Sequence, residues 1–240
     1  MDLYIGIFSA IVSYLLGSLS FARIVTYIWT SGQDITDHEF PVDGTGDSYK
    51  ILSVGANSVS SLLGRRAGMV VSLFDILKVF IPTLILKLAY PDQPALFLIA
   101  ATFGIIGHVW PIYYKFHGGS GFSAIMGGLL VIDWLALLVT PVAGLFLGMV
   151  VFRNMVVATL SWIWLLIPWM WWQMDGDASH ILYSVAVNII FILAILPEYK
   201  TAMKYKAEGK YLEYGMGNLK ATPMGRGMLK IADFFHVEIK

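Results

Sequence analysis

The chain has 240 residues, of which 58% are hydrophobic and only 13% charged, with a formal net charge of zero. A soluble domain carries about a quarter charged residues, so this composition, with a mean hydropathy of +0.72, excludes an ordinary soluble globule and points to an all-α polytopic membrane protein. Zero net charge leaves no nucleic-acid footprint, and the lack of any cysteine excludes disulfide and thiolate chemistry.

A membrane span needs about 20 apolar residues. Leu3–Trp29 supplies the first. It has no basic leading segment, is too long for a signal-peptide core and shows no small-residue cleavage site, so it is expected to stay in the mature protein. Gly68–Ala89 is the second span and Pro94–Tyr113 the third. Phe122–Ile132 is short and is followed after Asp133 by Trp134–Val151, which predicts a tight helix pair. Asn154–Trp172 and His180–Leu196 complete a total of about seven spans. Residues 1–200 thus read as one membrane domain with a loop at about 30–67, and residues 201–240 as a polar tail. Met228, Leu229, Ile231, Ala232, Phe235 and Ile239 recur there at helical spacing, as in an amphipathic helix on a membrane surface.

Lysine and arginine set the expected orientation. With the N-terminus outside, the Thr30–Ala67 loop, Lys115, Arg153 and the lysine-rich tail all lie inside. The outer segments hold Asp92, Asp175 and Asp177, and Lys87 is the one basic residue near that face, where it can snorkel. Trp169, Trp171 and Trp172 cluster at the outer end of the sixth span and read as an interfacial aromatic belt.

The stretch Gly107–Gly121, GHVWPIYYKFHGGSG, interrupts two apolar runs with glycine-rich backbone. Such a break is tolerated in a membrane only where protein or a wet cavity covers it, so this corner is the leading candidate site. Gly118, Gly119, Ser120 and Gly121 precede a helix, and successive N–H groups at a helix N-terminus suit an anion. Arg65 and Arg66 would add full positive charge, although they are also ordinary positive-inside residues. His108 either fixes the corner through a hydrogen bond or meets substrate. Asp75 and Lys78, one turn apart inside the second span, form an expected polar pair facing the bundle. The five histidines are scattered without ligand spacing, so no metal is expected, and nothing calls for a cofactor.

At these residues the chain resembles the PlsY-type acyl-phosphate:glycerol-3-phosphate acyltransferases, over roughly Tyr14 to Gly209. YLLGSLSFA at Tyr14–Ala22 is similar to the family's YLLGSIPFA, and QDITDH at Gln33–His38 to xDIREH. VGANSVSSLLGRRAG at Val54–Gly68 resembles IGATNVLRTLGKKAG, Phe74–Lys78 resembles LDxLK, and Gly107–Gly121 resembles GHxFPxFLKFKGGKG. The resemblance implies a seven-helix bacterial inner-membrane enzyme with its N-terminus outside and its active site at the cytoplasmic face. It implies phosphate binding by the Gly118–Gly121 loop and the stretch containing Asn57, and acyl phosphate and glycerol 3-phosphate as ligands beside membrane lipids.

The chain departs from the pattern in one consistent direction. Ser120 stands at the lysine of the glycine loop, Ser61 at an arginine, and Ala56-Asn57-Ser58 at Ala-Thr-Asn. The family's Gly-Ser-Gly-Asn turn is missing before Val54; Gly44–Asp47 is a candidate relic. Tyr199, Ala202 and Tyr211 fall where His, Asn and Glu are expected. Two functions are therefore in play. One is acyl transfer from acyl phosphate to glycerol 3-phosphate. The other is a catalytically inactive relative serving as accessory subunit or scaffold among membrane protein partners. A transporter is a weaker third, since no inverted repeat is visible.

Overall fold

The computed structural model describes residues 3–37, 39–41, 48–50, 53–209, 220 and 223–234. His38, the Gly44–Asp47 segment, Tyr211, Phe235 and Ile239 lie outside the described residues. The chain forms a helical bundle in chain order: α1 (Leu3–Gly17), α2 (Phe21–Trp29), α3 (Ala56–Leu63), α4 (Arg65–Ala89), α5 (Pro94–Val109), α6 (Phe122–Ile132) and α7 (Trp134–Phe146). A π-helical turn, Leu147–Val151, extends α7; α8 (Met155–Trp164), α9 (Leu166–Gln173), α10 (Ala178–Ala207) and α11 (Pro223–Phe234) follow. The loop after α2 adds a short antiparallel ribbon, β1 (Glu39–Pro41) with β2 (Ser48–Lys50), in which Phe40 faces Tyr49. Backbone outside the helices has to pair its N–H and C=O groups, and here one three-residue stretch pairs with another.

Five described runs are long and apolar enough to cross a membrane: Leu3–Trp29, Arg65–Ala89, Pro94–Tyr114, Trp134–Val151 and Ala178–Ala207. Phe122–Ile132 is a shorter apolar helix, and α8 and α9 run end to end through Leu165. Together they make about seven apolar passes of a multi-pass membrane protein. The side chains agree: Leu88, Leu182, Ile85 and Val142 are exposed, as suits lipid, while the centre is filled by Ile105, Ile125, Leu129, Leu166 and Val187.

Without a hydrophobic drive between helices in lipid, close packing relies on small residues. α1 packs closely along α5 through glycines. A Cβ on Gly17 would sit 2.2 Å from the Gly104 carbonyl oxygen, and one on Gly107 2.2 Å from the Tyr14 oxygen. A Cβ on Gly127 of α6 would fall 2.3 Å from the Ile76 carbonyl oxygen of α4. These approaches seat α1 against the later turns of α5 and α6 against the middle of α4.

The first apolar run is not one helix. It breaks at Ser18–Ser20, and α2 leaves as a separate amphipathic helix burying Ala22, Val25 and Thr26 while exposing Tyr27, Ile28 and Trp29. The Ser18 hydroxyl donates to the Tyr14 carbonyl at 2.8 Å, and the freed Leu19 carbonyl accepts from Lys78 Nζ at 2.7 Å. A buried lysine on α4 thus holds the break open. In the tail, α11 buries Met228 and Ala232 against Met149 and Ala158, so it docks on the end of the α7–α8 pair.

Candidate active site at the α5–α6 corner

α5 ends in a backbone that turns back on itself. A short turn at Ile112–Tyr114 leads to Lys115 and Phe116, both left-handed with φ of 51° and 60°. That region costs energy for residues with a Cβ and persists where surrounding structure imposes it. The loop then lies flush on the last turn of α5. Gly119 N–H donates to the His108 carbonyl at 3.1 Å. A Cβ on Gly118 would fall 2.1 Å from that same oxygen, and one on Gly119 2.2 Å from His108 Nε2. Gly121, with φ of +89°, turns the chain into α6. Only glycine fits this path, so the run Gly118, Gly119 and Gly121 follows from close approach and backbone conformation together.

The corner is joined to the start of α3. Val54 N–H donates to the Gly118 carbonyl at 2.9 Å. α3 is entered at Gly55 and α6 at Gly121, and among the described residues neither N-cap position makes a side-chain capping bond. Two helix N-termini with uncapped N–H groups therefore lie beside one glycine loop, an arrangement that favours an anion. Ser120 is half-buried within the loop; Asn57 is exposed on the first turn of α3, and Arg65 and Arg66 are exposed at the first turn of α4. No ion pair of Arg65 or Arg66 is present among the described residues.

Beneath the loop sits a charged cluster. Lys78 Nζ lies 2.8 Å from Asp75 Oδ1, with side-chain exposures of 4% and 2%. His108 Nδ1 lies 3.5 Å from the same oxygen. Both contacts are off the line of a good hydrogen bond, so Asp75 Oδ1 is matched by charge, and the strong hydrogen bond of Lys78 goes to Leu19. The cluster links four backbone segments: the α1–α2 break through Lys78, α4 through Asp75, the α5 end through His108, and the glycine loop through the Gly119–His108 contact. His108, buried, supports the loop from below.

The sequence reading did not single out Arg23. Its Nη1 donates to Asp34 Oδ1 and Oδ2 at 2.8 and 2.7 Å, and its Nη2 reaches the His117 carbonyl at 3.4 Å. The guanidinium stacks 5.0 Å over the Tyr114 ring. Burial alone would raise the Asp34 carboxyl, but hydrogen bonds from Thr36 and Arg23 and the Arg23 charge outweigh it and hold it below its ordinary value. The available signal was a lone arginine in the last third of an apolar run. Trp169 is likewise more than part of an aromatic belt: its Nε1 donates to Asp133 at 2.6 Å, whereas Trp171 and Trp172 are exposed.

The fold and the corner together define a multi-pass helical membrane protein with a glycine loop folded onto one end of its bundle. Residues 7–209 match the family model described as glycerol-3-phosphate acyltransferase, and the chain belongs to that family. It is 30% identical over 187 residues to the glycerol-3-phosphate acyltransferase of Mycoplasma capricolum, covering 75% of this chain and 67% of that one. It is 31% identical over 122 residues to the enzyme of that name from Myxococcus xanthus, covering 51% and 57%. The matches thus span between 57% and 67% of these relatives' own length. The fold is similar to the crystal structure of PlsY, an integral membrane glycerol 3-phosphate acyltransferase, in its glycerol 3-phosphate form. The TM-score is 0.65 at 21% identity, over 85% of this chain and 93% of that one.

Proposed function

We propose that this chain transfers an acyl group from an acyl phosphate to a hydroxyl of glycerol 3-phosphate at the Gly118–Gly121 corner, yielding lysophosphatidate and inorganic phosphate. The observation that carries the reading is the glycine loop laid on His108 beside two uncapped helix N-termini. The acceptor hydroxyl attacks the acyl carbonyl carbon; a C–O ester bond forms and the bond to the phosphate oxygen breaks. The hydroxyl proton leaves with the phosphate. Negative charge grows on the carbonyl oxygen and on the departing phosphate, and preorganised N–H groups are worth most where charge develops. The backbone N–H groups of Ser120 and Gly121 and the Ser120 hydroxyl receive the phosphate. Asn57, Arg65 and Arg66 line its approach, the arginines through their field.

The setting is a bacterial inner membrane with the N-terminus outside and the tail in the cytoplasm. Supporting this are the basic residues at the site end, Arg65, Arg66, Lys115 and Arg153, against Asp92, Asp175 and Asp177 at the other. Because the chain has no cysteine, a single one introduced at Lys204 reports orientation: it should resist a membrane-impermeant thiol reagent in whole cells and react after lysis.

The activity is tested with the purified full chain, acyl phosphate and glycerol 3-phosphate. Lysophosphatidate and phosphate should appear in equal amounts. A folded protein that forms neither would overturn the proposal and leave the non-catalytic scaffold in its place.

A further inference from the structure

We propose that Arg23 supplies the cation of the phosphate site, in place of a charge that the glycine loop itself does not carry. This rests on the acyl-transfer reading above and names a residue for the same site. The loop offers Ser120, a neutral hydroxyl, and a hydroxyl alone leaves a phosphate dianion short of a counter-charge. Arg65 and Arg66 are exposed at the start of another helix. Arg23 is different: its side chain is only 12% exposed and its Nη2 is in contact with the His117 carbonyl, one residue before Gly118.

The guanidinium is divided in use. Nη1 is committed to both oxygens of Asp34. Its central carbon lies over the Tyr114 ring, 5.0 Å from the centroid, a cation–π contact that holds the group in place. Among the described residues, Nη2 has only the 3.4 Å contact with His117, and Nε is buried with no hydrogen-bond partner. Buried donors are paired in nearly all native structures, so an unsatisfied edge needs a reason. Nε and Nη2 form one edge of the guanidinium fork, the edge that takes two oxygens of a phosphate when it is open. Asp34 holds the opposite side, anchored in turn by the backbone N–H and hydroxyl of Thr36 at 2.9 Å each. Arg23 is thereby held by Asp34 on one side, while on the other Nε is unpaired among the described residues and Nη2 makes only its long contact with the His117 carbonyl, next to the loop. The cost of burying Nε without a partner is recovered when phosphate arrives.

The experiment uses the purified full chain in detergent. Thermal unfolding is followed against inorganic phosphate and glycerol 3-phosphate, alongside lysophosphatidate formation, for the unaltered chain and for R23Q, R23K, D34N and R23Q/S120K. R23Q should weaken phosphate protection roughly tenfold or more, the loss expected of one charge-assisted contact. R23K should be intermediate, since a point charge replaces a fork. D34N should tighten phosphate binding, because it removes a competing anion and keeps the cation. R23Q/S120K should regain protection, the lysine restoring charge within the loop. Equal losses in R23Q and D34N would overturn the proposal, since Arg23 would then be one half of a structural ion pair. Unchanged phosphate binding in R23Q would overturn it too. If R23Q does not fold, D34N decides: tighter phosphate binding supports the proposal and weaker binding ends it. Arg23-dependent phosphate protection without lysophosphatidate would sink the acyl-transfer reading and leave this one standing; turnover indifferent to R23Q would do the reverse.

Discussion

At the site end of the bundle, a carboxylate buried in α4 faces a lysine and a histidine. At the opposite end, Asp133 faces a tryptophan. Both carboxylates sit where helices leave backbone polar groups unpaired. Asp133 caps α7 by accepting from Leu135 N–H at 3.0 Å and from Trp169 Nε1 at 2.6 Å, while Lys87 Nζ donates to the Val131 carbonyl at 2.5 Å. α6 is only about 16 Å long at 1.5 Å per residue, half of a bilayer core, so its junction with α7 has to be satisfied by side chains reaching in. There the polar groups close a junction and nothing further is built on it. At the site end, Asp75, Lys78 and His108 instead sit beneath a helix break and a strained loop that leads into α6 without a side-chain cap at Gly121. One kind of residue, a buried aspartate, thus completes a helix junction at one end and at the other underlies the break and the glycine loop where the ligand site is proposed.

Breaking the charge cluster should have the largest effect. Asp75→Leu leaves Lys78 buried without a counter-charge, and losing one partner of a buried pair costs about 3–5 kcal/mol. The double change Asp75→Leu with Lys78→Met should recover much of that, read as the midpoint of denaturant unfolding in micelles. If the single change costs no more than Asp133→Leu, the proposed contrast between the ends collapses.

Gly119→Ala comes next. Its Cβ would meet His108 Nε2, and forcing an extra methyl into a packed site costs about 1–3 kcal/mol. Acyl-transfer activity should fall much further than stability does, because the loop moves off His108. Gly107→Ala, which meets the Tyr14 backbone, serves as the control: it should lower stability to a similar degree by parting α1 from α5. Equal activity losses per unit of stability in the two variants would remove any special role for the loop.

Trp169→Phe keeps the ring area and removes one hydrogen bond to Asp133. The expected cost is about 1–2 kcal/mol in unfolding, with turnover per folded molecule unchanged. A change in turnover would tie the far end to the site after all.

The smallest effect is electrostatic. Side-chain and backbone hydrogen bonds from His180 hold the Asp177 carboxyl below its ordinary value of 3.8. A depressed folded value means that folding favours the charged form. Its contribution is therefore present above pH 3.8 and is lost as pH falls through the folded value. Asp177→Asn should flatten the acid side of the stability profile without moving the neutral plateau, as measured by thermal unfolding across pH 3–6.

Much of this protein was decided by its sequence. Apolar runs near the length of a bilayer, at 13% charged residues, leave few alternatives to a membrane helical bundle, because lipid admits only backbones that pair their own polar groups. The corner at Gly107–Gly121 was legible for the same reason: glycines in succession within apolar surroundings have to mark close approach or special conformation. Tertiary structure decided what sits against that corner. The break at Ser18–Ser20 has no proline of its own to announce it, and the partner of its freed Leu19 carbonyl, Lys78, lies 59 positions away. Arg23 looks like an isolated basic residue until α2 turns aside and sets its guanidinium against Asp34 and the His117 carbonyl. Trp169 reads as one of a cluster until the α6–α7 junction presents Asp133 to it. Hydrophobic periodicity fixes which residues leave water, but a buried polar group takes whatever partner the packing brings within about 3 Å, and only the assembled bundle determines which one that is.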